Sequence, residues 1–460
     1  MKKNSSNTLI QPYWNCLKFY FKTGLALTLF LLLTLGFAGY ATEELIVPDD
    51  FSTIQKAINE AGNGARIIVK PGLYKESIDF KGKSITLEST DPENPETVKE
   101  TTIDGSETEN SVVIFRNNET KETILSGFTI REGSGFPPNP SANSFGCGVL
   151  VVNSSPVIKN NIIKNNGYGY GGGLFVGYNS SASIKDNTFE NNQSYLGAGV
   201  LVAADSSPTI SNNLFRDNKG HRHGGAIAVE FSSSPLIKDN EIHDNTACSG
   251  GGIMVTHNCS PKIINNEIKE NYGSCNGGGL KIEDHSSAIV RGNKISNNDA
   301  TTGGGINIVN ASPNILDNKI TNNVARDHGG ALKIRGPSRP IIKENEIVGN
   351  ISKKEGGAIV SLGSSPQVIG NVFSDNTAKG DGGAIFFGIY HHEDVLPIVR
   401  SNEFRENQAG GRGGAIYARP RLLLSGKKSG EPLTKPYNFN TYIDNQPGDV
   451  FYNPHEFLFN

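Results

Sequence analysis

From about residue 146 to residue 418 one pattern returns every 25–27 residues, broken by a single longer interval. It reads Gly-Gly, a small residue, then Ile or Leu, commonly Ser-Ser-Pro-x-Ile, then Asn-x-(Ile or Phe)-x-x-Asn, and a variable corner. The stretches "GGAIAVEFSSSPLIKDNEIHDN" (224–245) and "GGAIVSLGSSPQVIGNVFSDN" (356–376) show the match. The first Asn of the pair is Asn161, Asn187, Asn213, Asn240, Asn266, Asn293, Asn318, Asn345, Asn371 and Asn402, and the second follows five residues later each time. A unit this short has no inside of its own, so a fixed period of this length means a stack of units with one shared core.

Each unit holds three short β-branched or alternating runs separated by Gly, Ser-Pro and Asn, which predicts three short strands per coil. No run keeps a helical period for three turns, so helical repeats are excluded. Parallel pairing then adds about 4.8 Å of rod per coil. Ile163, Phe189, Phe215, Ile242, Ile268, Ile295, Ile320, Ile347, Phe373 and Phe404 form one inward column. The Asn columns read as structural, placed at corners where Asn tolerates left-handed backbone and can bond its equivalent one coil away. The double glycines mark tight corners, and they help raise Gly to 54 residues, well above the usual share of about 7%.

Ahead of the repeats, basic Lys2, Lys3, Lys18 and Lys22 precede the apolar run "GLALTLFLLLTLGFAG" (24–39), and "AGYATEE" offers small residues for cleavage after Ala41. Residues 1–41 therefore read as a secretory signal or, if uncleaved, an anchor, and in both cases the body is exported. A formal net charge of −3 supplies no basic footprint for nucleic acid. The membrane enters only through an uncleaved leader. Residues 42–63 are expected to carry a capping helix over Thr53–Ala61, with Ile54, Ala57 and Ile58 on one face. Coils follow over 64–420, and residues 421–460 read as a non-repetitive tail packing on the rod.

These features resemble the right-handed parallel β-helix, or pectin-lyase-like, superfamily over roughly residues 45–420. The opening "VPDDFSTIQKAINEAGNGARIIVKPGLYKESIDFKGKSITLES" (47–89) looks like the start of that group. The resemblance implies an all-β, single right-handed parallel β-helix of about a dozen coils with an N-terminal helical cap. "FSDNTAKGDGGAI" (373–385) and "FRENQAGGRGGAI" (404–416) are also similar to the repeats of polymorphic outer-membrane adhesins. The fold hosts unrelated activities, so it names no reaction. The esterase and polygalacturonase motifs of the superfamily are absent. "RGPSRP" (335–340) is one residue short of a pectate-lyase pattern, and "NPHE" (453–456) only partly resembles an epimerase motif.

Chemistry is sought on the strand after Gly-Gly, where alternate residues are expected to point outward. One such column runs Leu150, Phe175, Leu201, Ala228, Met254, Lys281, Asn307, Lys333, Val360, Phe386 and Tyr417. The next includes Glu230, Thr256, Glu283 and Arg335. Lys281, Lys333, Arg335, Glu230 and Glu283 thereby gather on one face as candidate catalytic groups, with His257, Asp284 and His285 beside them as binding residues. The bland reading is a ladder of alternating surface charges. Members of the superfamily that are lyases set a basic residue near acidic calcium ligands, so calcium is admissible here although no cofactor is required. The triplet His221, Arg222 and His223 occupies the variable corner and reads as an exposed contact surface rather than a metal site. Tyr390, His391 and His392 lie in the longer interval and form a second candidate.

Cys248 and Cys275 both stand two residues before a Gly-Gly, one coil apart, within disulfide reach. Cys147 and Cys259 hold other coil positions and have no mate. The functional expectation is an exported protein contacting polysaccharide or a cell-surface glycan along its outer sheet and corners, as a lyase or related enzyme. The alternative is a non-catalytic cell-surface adhesin or spacer.

Overall fold

The computed structural model describes residues 43–135, 145–167, 169–388, 397–418 and 440–452. The expected leader over 1–41 and the candidates Tyr390, His391 and His392 lie outside the described residues. All strands pair in parallel, in three sheets of 14 strands and one of nine. Along one coil, sheet I takes the strand after Ser-Pro, as in Leu236–Lys238. Sheet II takes the strand between the two Asn, as in Glu241–His243. Sheet III is the corner, as in Thr246–Ser249. Sheet IV follows the glycines, as in Ile253–Val255. Strand periodicity thus predicts the three main walls, and the variable corner adds a fourth.

The middle residue of each short strand in sheets I and II points inward. Every member of the Ile163-to-Phe404 column is buried, and Phe189 stacks on Phe215 at 4.7 Å with planes 4° apart. The helix covers Ile54–Glu60, with Thr53 as its cap, and buries Ile54, Ala57 and Ile58. Two boundaries differ from expectation. Strand Glu44–Val47 precedes the helix and pairs with Arg66–Val69, so pairing starts before residue 64. At the other end, Thr441–Ile443 and Val450–Tyr452 extend sheets II and IV. Part of the presumed tail is therefore a further coil. "NTYIDN" (440–445) keeps the five-residue Asn spacing with Tyr442 in the aromatic place, a signal that sequence reading passed over.

The Asn columns are two ladders of side-chain amides. Asn240 donates from its backbone N and Nδ2 to Asn266 Oδ1 at 3.0 and 2.9 Å, and Asn266 repeats this to Asn293. The left-handed residue is not the ladder Asn but the one before it, such as Asp239, Asn265 or Glu270. Hydrogen bonding, rather than backbone tolerance, is what Asn supplies at the ladder position. The first Gly of each pair does take left-handed backbone, with φ of 59° at Gly224 and 62° at Gly356.

Cys248 and Cys275 form a disulfide with Cα atoms 4.9 Å apart and a separation of 27 residues. Closing that loop should contribute roughly 3–4 kcal/mol. We expect the Cys248→Ser/Cys275→Ser variant to show a correspondingly lower urea midpoint, with the wild type falling to the same value under reductant.

Candidate functional site

The column Leu150 to Tyr417 is not exposed. Leu150, Phe175, Leu201, Ala228 and Met254 form a second apolar cluster outside the main core, covered by Phe145, Tyr170 and Leu196. Val360, Phe386 and Tyr417 form a third, with Leu362 and Phe451 against it. Over the middle coils the cause is the corner before the glycines, which sets Tyr170 and Leu196 on the apolar cluster, Ser249 on Lys281 and Thr302 on Asn307. Alternation along sheet IV therefore separates two interiors rather than core from solvent. The alternating charge ladder lies on sheet II instead, where Arg216 pairs with Glu190 and Lys269 with Glu241 one coil away.

Between the two lateral apolar clusters the column is polar, running Lys281, Asn307, Lys333. Lys281 is 8% exposed. Its ammonium meets Glu283 at 2.7 Å and Ser249 Oγ at 3.5 Å. Asn307, 1% exposed, donates to Thr302 Oγ1 at 3.1 Å, while its Oδ1 has no partner among the described residues. Lys333 is half-buried and forms no hydrogen bond or ion pair among the described residues. Burial pushes its ammonium below the ordinary value of 10.5, against the pull of the Asp327 carboxylate. Around it, His328 Nδ1 lies 2.6 Å from Glu355 Oε2, and Lys354 pairs with Asp327. That imidazole holds Glu355 below the usual carboxylate range. A buried amide oxygen without a donor is costly, and it stands one coil from the unpaired ammonium of Lys333.

The remaining candidates fall in separate places. Glu230, 2% exposed, is matched with His223 at 3.2 Å. It stands four coils from Arg335, about 19 Å along the rod, so the five candidate catalytic groups line one face without converging. The His-Arg-His triplet belongs to the sheet III strand Lys219–His223. His221 and Arg222 are exposed there while His223 turns in, which corrects its reading as a uniformly exposed corner. His257 and Asp284 occupy the left-handed turn leaving sheet IV, where Thr256 donates to Asp284 at 3.0 Å. His285 beside them is exposed. Sequence reading missed Phe231 in the same turn. It is 53% exposed at φ 51° and stacks on His257 at 4.7 Å. The left-handed backbone belongs to this turn in coil after coil, as at Tyr178, Ala204 and His257, so what sets Phe231 apart is its exposed ring stacked on an imidazole.

Residues 96–215 and 195–324 match the family described as right handed beta helix region. Residues 265–384 match the periplasmic copper-binding protein (NosD) family, and 403–419 match the Chlamydia polymorphic membrane protein repeat. No curated protein matches the sequence. The fold is similar to that of the A-module of a mannuronan C-5 epimerase from Azotobacter vinelandii, with a TM-score of 0.51 and 14% identity. That likeness covers 73% of this chain and 92% of the module. The copper in one family description finds no seat among the described residues. Among the described residues no three His, Cys, Asp or Glu converge as ligands. Cys147 and Cys259 are free and buried, their thiols pushed up by burial to about 11 and about 12. Among the described residues no helix is long and apolar enough to cross a membrane.

Proposed function

We propose, from the premise that this chain is a right-handed parallel β-helix repeat protein, that it is exported and holds a linear uronate-containing polysaccharide along the outer edge of sheet IV. The observation that carries this reading is the polar break in an otherwise apolar lateral layer. Lys281, Asn307 and Lys333 interrupt it, with an orphaned amide oxygen and an unpaired ammonium at its centre. A uronate carboxylate satisfies Lys333, the half-exposed member of this break. Phe231 and His257 lie on the same rod face and offer a ring to a sugar. The family descriptions "periplasmic" and "membrane protein" support export. The epimerase module of like fold is named for an activity on mannuronan.

In the catalytic form of this reading Lys333 is the proton acceptor. An ammonium weakened by burial supplies more free amine near neutral pH than an exposed lysine does. The competing form is a binding protein or adhesin, which the short match to an outer-membrane repeat favours. One experiment separates them. The chain is incubated with polyuronates and neutral glycans while retention, unsaturated products and reducing ends are followed. Turnover lost in Lys333→Met with retention kept establishes the catalytic form. Retention without turnover establishes the binding form, and neither on any glycan overturns the proposal.

Lys333 also carries a stability prediction. Its charged form is the one the fold disfavours, so the cost is present below its folded-state pKa and fades as pH rises towards 10.5. Lys333→Met should therefore be neutral to stabilising at pH 7, by up to about 1 kcal/mol given its remaining contact with water. The difference should shrink in urea titrations above pH 10. A loss of stability at pH 7 would mean that Lys333 is a structural residue.

A further inference from the structure

Sheets I and II carry their charges differently. On sheet II most cations are matched by acids, Arg131 by Asp104 at 2.7 Å, Arg216 by Glu190 at 2.5 Å and Lys319 by Glu346 at 3.0 Å, while Lys294 has no ion pair among the described residues. On sheet I, from Val157–Lys159 to Ile398–Arg400, no strand contains an acidic residue.

The two outward positions of each sheet I strand also follow a rule. Leu236 and Lys238 stand in one coil, Lys262 and Ile264 in the next, Ile289 and Arg291 in the one after. The register places Leu236 against Lys262 and Lys238 against Ile264, then Lys262 against Ile289 and Ile264 against Arg291. The alternation holds through Asn314 and Leu316, Ile341 and Lys343, Gln367 and Ile369, to Ile398 and Arg400. Each aliphatic side chain is thus flanked by polar ones, and on the third-residue column a cation recurs every second coil, about 9.6 Å apart.

Lys238 and Lys343 have acids at the adjoining corner, Asp239 at 3.8 Å and Glu344 at 3.1 Å. Lys159, Lys185, Lys262, Arg291 and Arg400 have no ion pair among the described residues. Lysine stems lying over aliphatic neighbours explain solubility. They do not explain why, in a chain with net charge −3, the strands of this wall from Val157 on hold cations and no acid, with acids only at corners such as Asp186 and Asp317, while most cations of the next wall are paired.

We infer that sheet I is a track for a linear polyanionic polysaccharide lying along the rod, separate from the sheet IV site and independent of that assignment. Carboxylates of an extended glycan meet the cation column, and the aliphatic side chains between them contact the C–H faces of the sugars. The checkerboard disfavours a lipid surface, because no two aliphatic positions adjoin along a column and no aromatic stands in these strands. The lack of aromatics equally removes the stacking platforms used for single-stranded nucleic acid.

The test uses the full chain on immobilised polyuronate. Lys262→Gln/Arg291→Gln/Lys343→Gln removes three exposed cations whose side chains bear no core contact, and Lys269→Gln/Lys319→Gln removes two from the matched ladder of sheet II. We expect the sheet I variant to weaken retention at least about tenfold and to flatten its salt dependence. The sheet II variant and a Lys262→Arg/Lys343→Arg variant should bind as wild type does. Unchanged retention in the sheet I variant, with loss in Phe231→Ala or Lys333→Met, would assign all polymer binding to sheet IV and overturn the track. Equal retention on a neutral glycan, or binding to anionic vesicles or single-stranded DNA without binding to polyuronate, would overturn it as well. Melting by far-ultraviolet dichroism should be the same for all charge variants, which separates lost binding from lost fold.

Discussion

Asn266→Leu should lower the stability of its part of the rod by about 2–4 kcal/mol, counting the buried groups it would leave unpaired and the bulk it adds. The Asn266 side chain accepts from the backbone N and Nδ2 of Asn240 and donates to Ile237 O, Ile264 O and Asn293 Oδ1. Leucine has the same side-chain branching, a larger volume and none of these groups. Asn240 N would stay buried without a partner and Ile237 O would lose the Asn266 amide, whereas Asn240 Nδ2 would keep Ile210 O and Lys238 O, and Ile264 O would keep Asp239 N. Because a solenoid is stabilised mainly by neighbouring coils, the loss is local. Urea unfolding should split into two transitions, and amide exchange should accelerate most in the coils around Asn240 to Asn293. A single transition shifted by under about 1 kcal/mol would mean that the ladder reports the fold rather than holding it.

Gly357→Ala should be at least as large, about 4 kcal/mol or more, for a different reason. Its φ is not left-handed, so conformational preference is not the constraint. A Cβ there would lie 2.1 Å from Gly383 O and 2.6 Å from Thr377 N, both backbone atoms of the next coil. Neither can give way without opening the strand spacing. Gly64, where a Cβ would meet nothing within 4 Å, is the contrasting position. Its φ of +88° makes alanine costly through backbone strain alone. Comparing Gly357→Ala with Gly64→Ala by chemical unfolding separates close packing from conformational cost, and the packing variant should lose more.

The repeat made the walls legible. A period of 25–27 residues with Ile or Phe midway between two Asn leaves few options besides stacked parallel strands. Cys248 and Cys275 could be placed on adjacent coils by counting from their glycines. The site was less legible. Period-two alternation correctly put Lys281, Asn307 and Lys333 on the side of sheet IV away from the main core. It could not say that sheet III would cover that side, because the corner residues share no pattern from coil to coil. Phe231 escaped notice for a related reason: a phenylalanine in a β-rich stretch reads as core, and only its backbone and neighbours show it in a turn.

The sequence by itself determined the parallel stack, its inward columns, its Asn ladders and its glycine corners. Each of these is a nearest-neighbour interaction repeated coil after coil, and so appears as a period. The tertiary structure decided which outward residues see water. It enclosed Met254 and Tyr417 in lateral clusters, buried Glu230 against His223, left Asn307 Oδ1 without a donor, and left Lys262 and Arg291 of sheet I without an ion pair among the described residues. Those outcomes depend on where a non-repeating corner lies over a repeating wall, and that placement is a property of packing between elements.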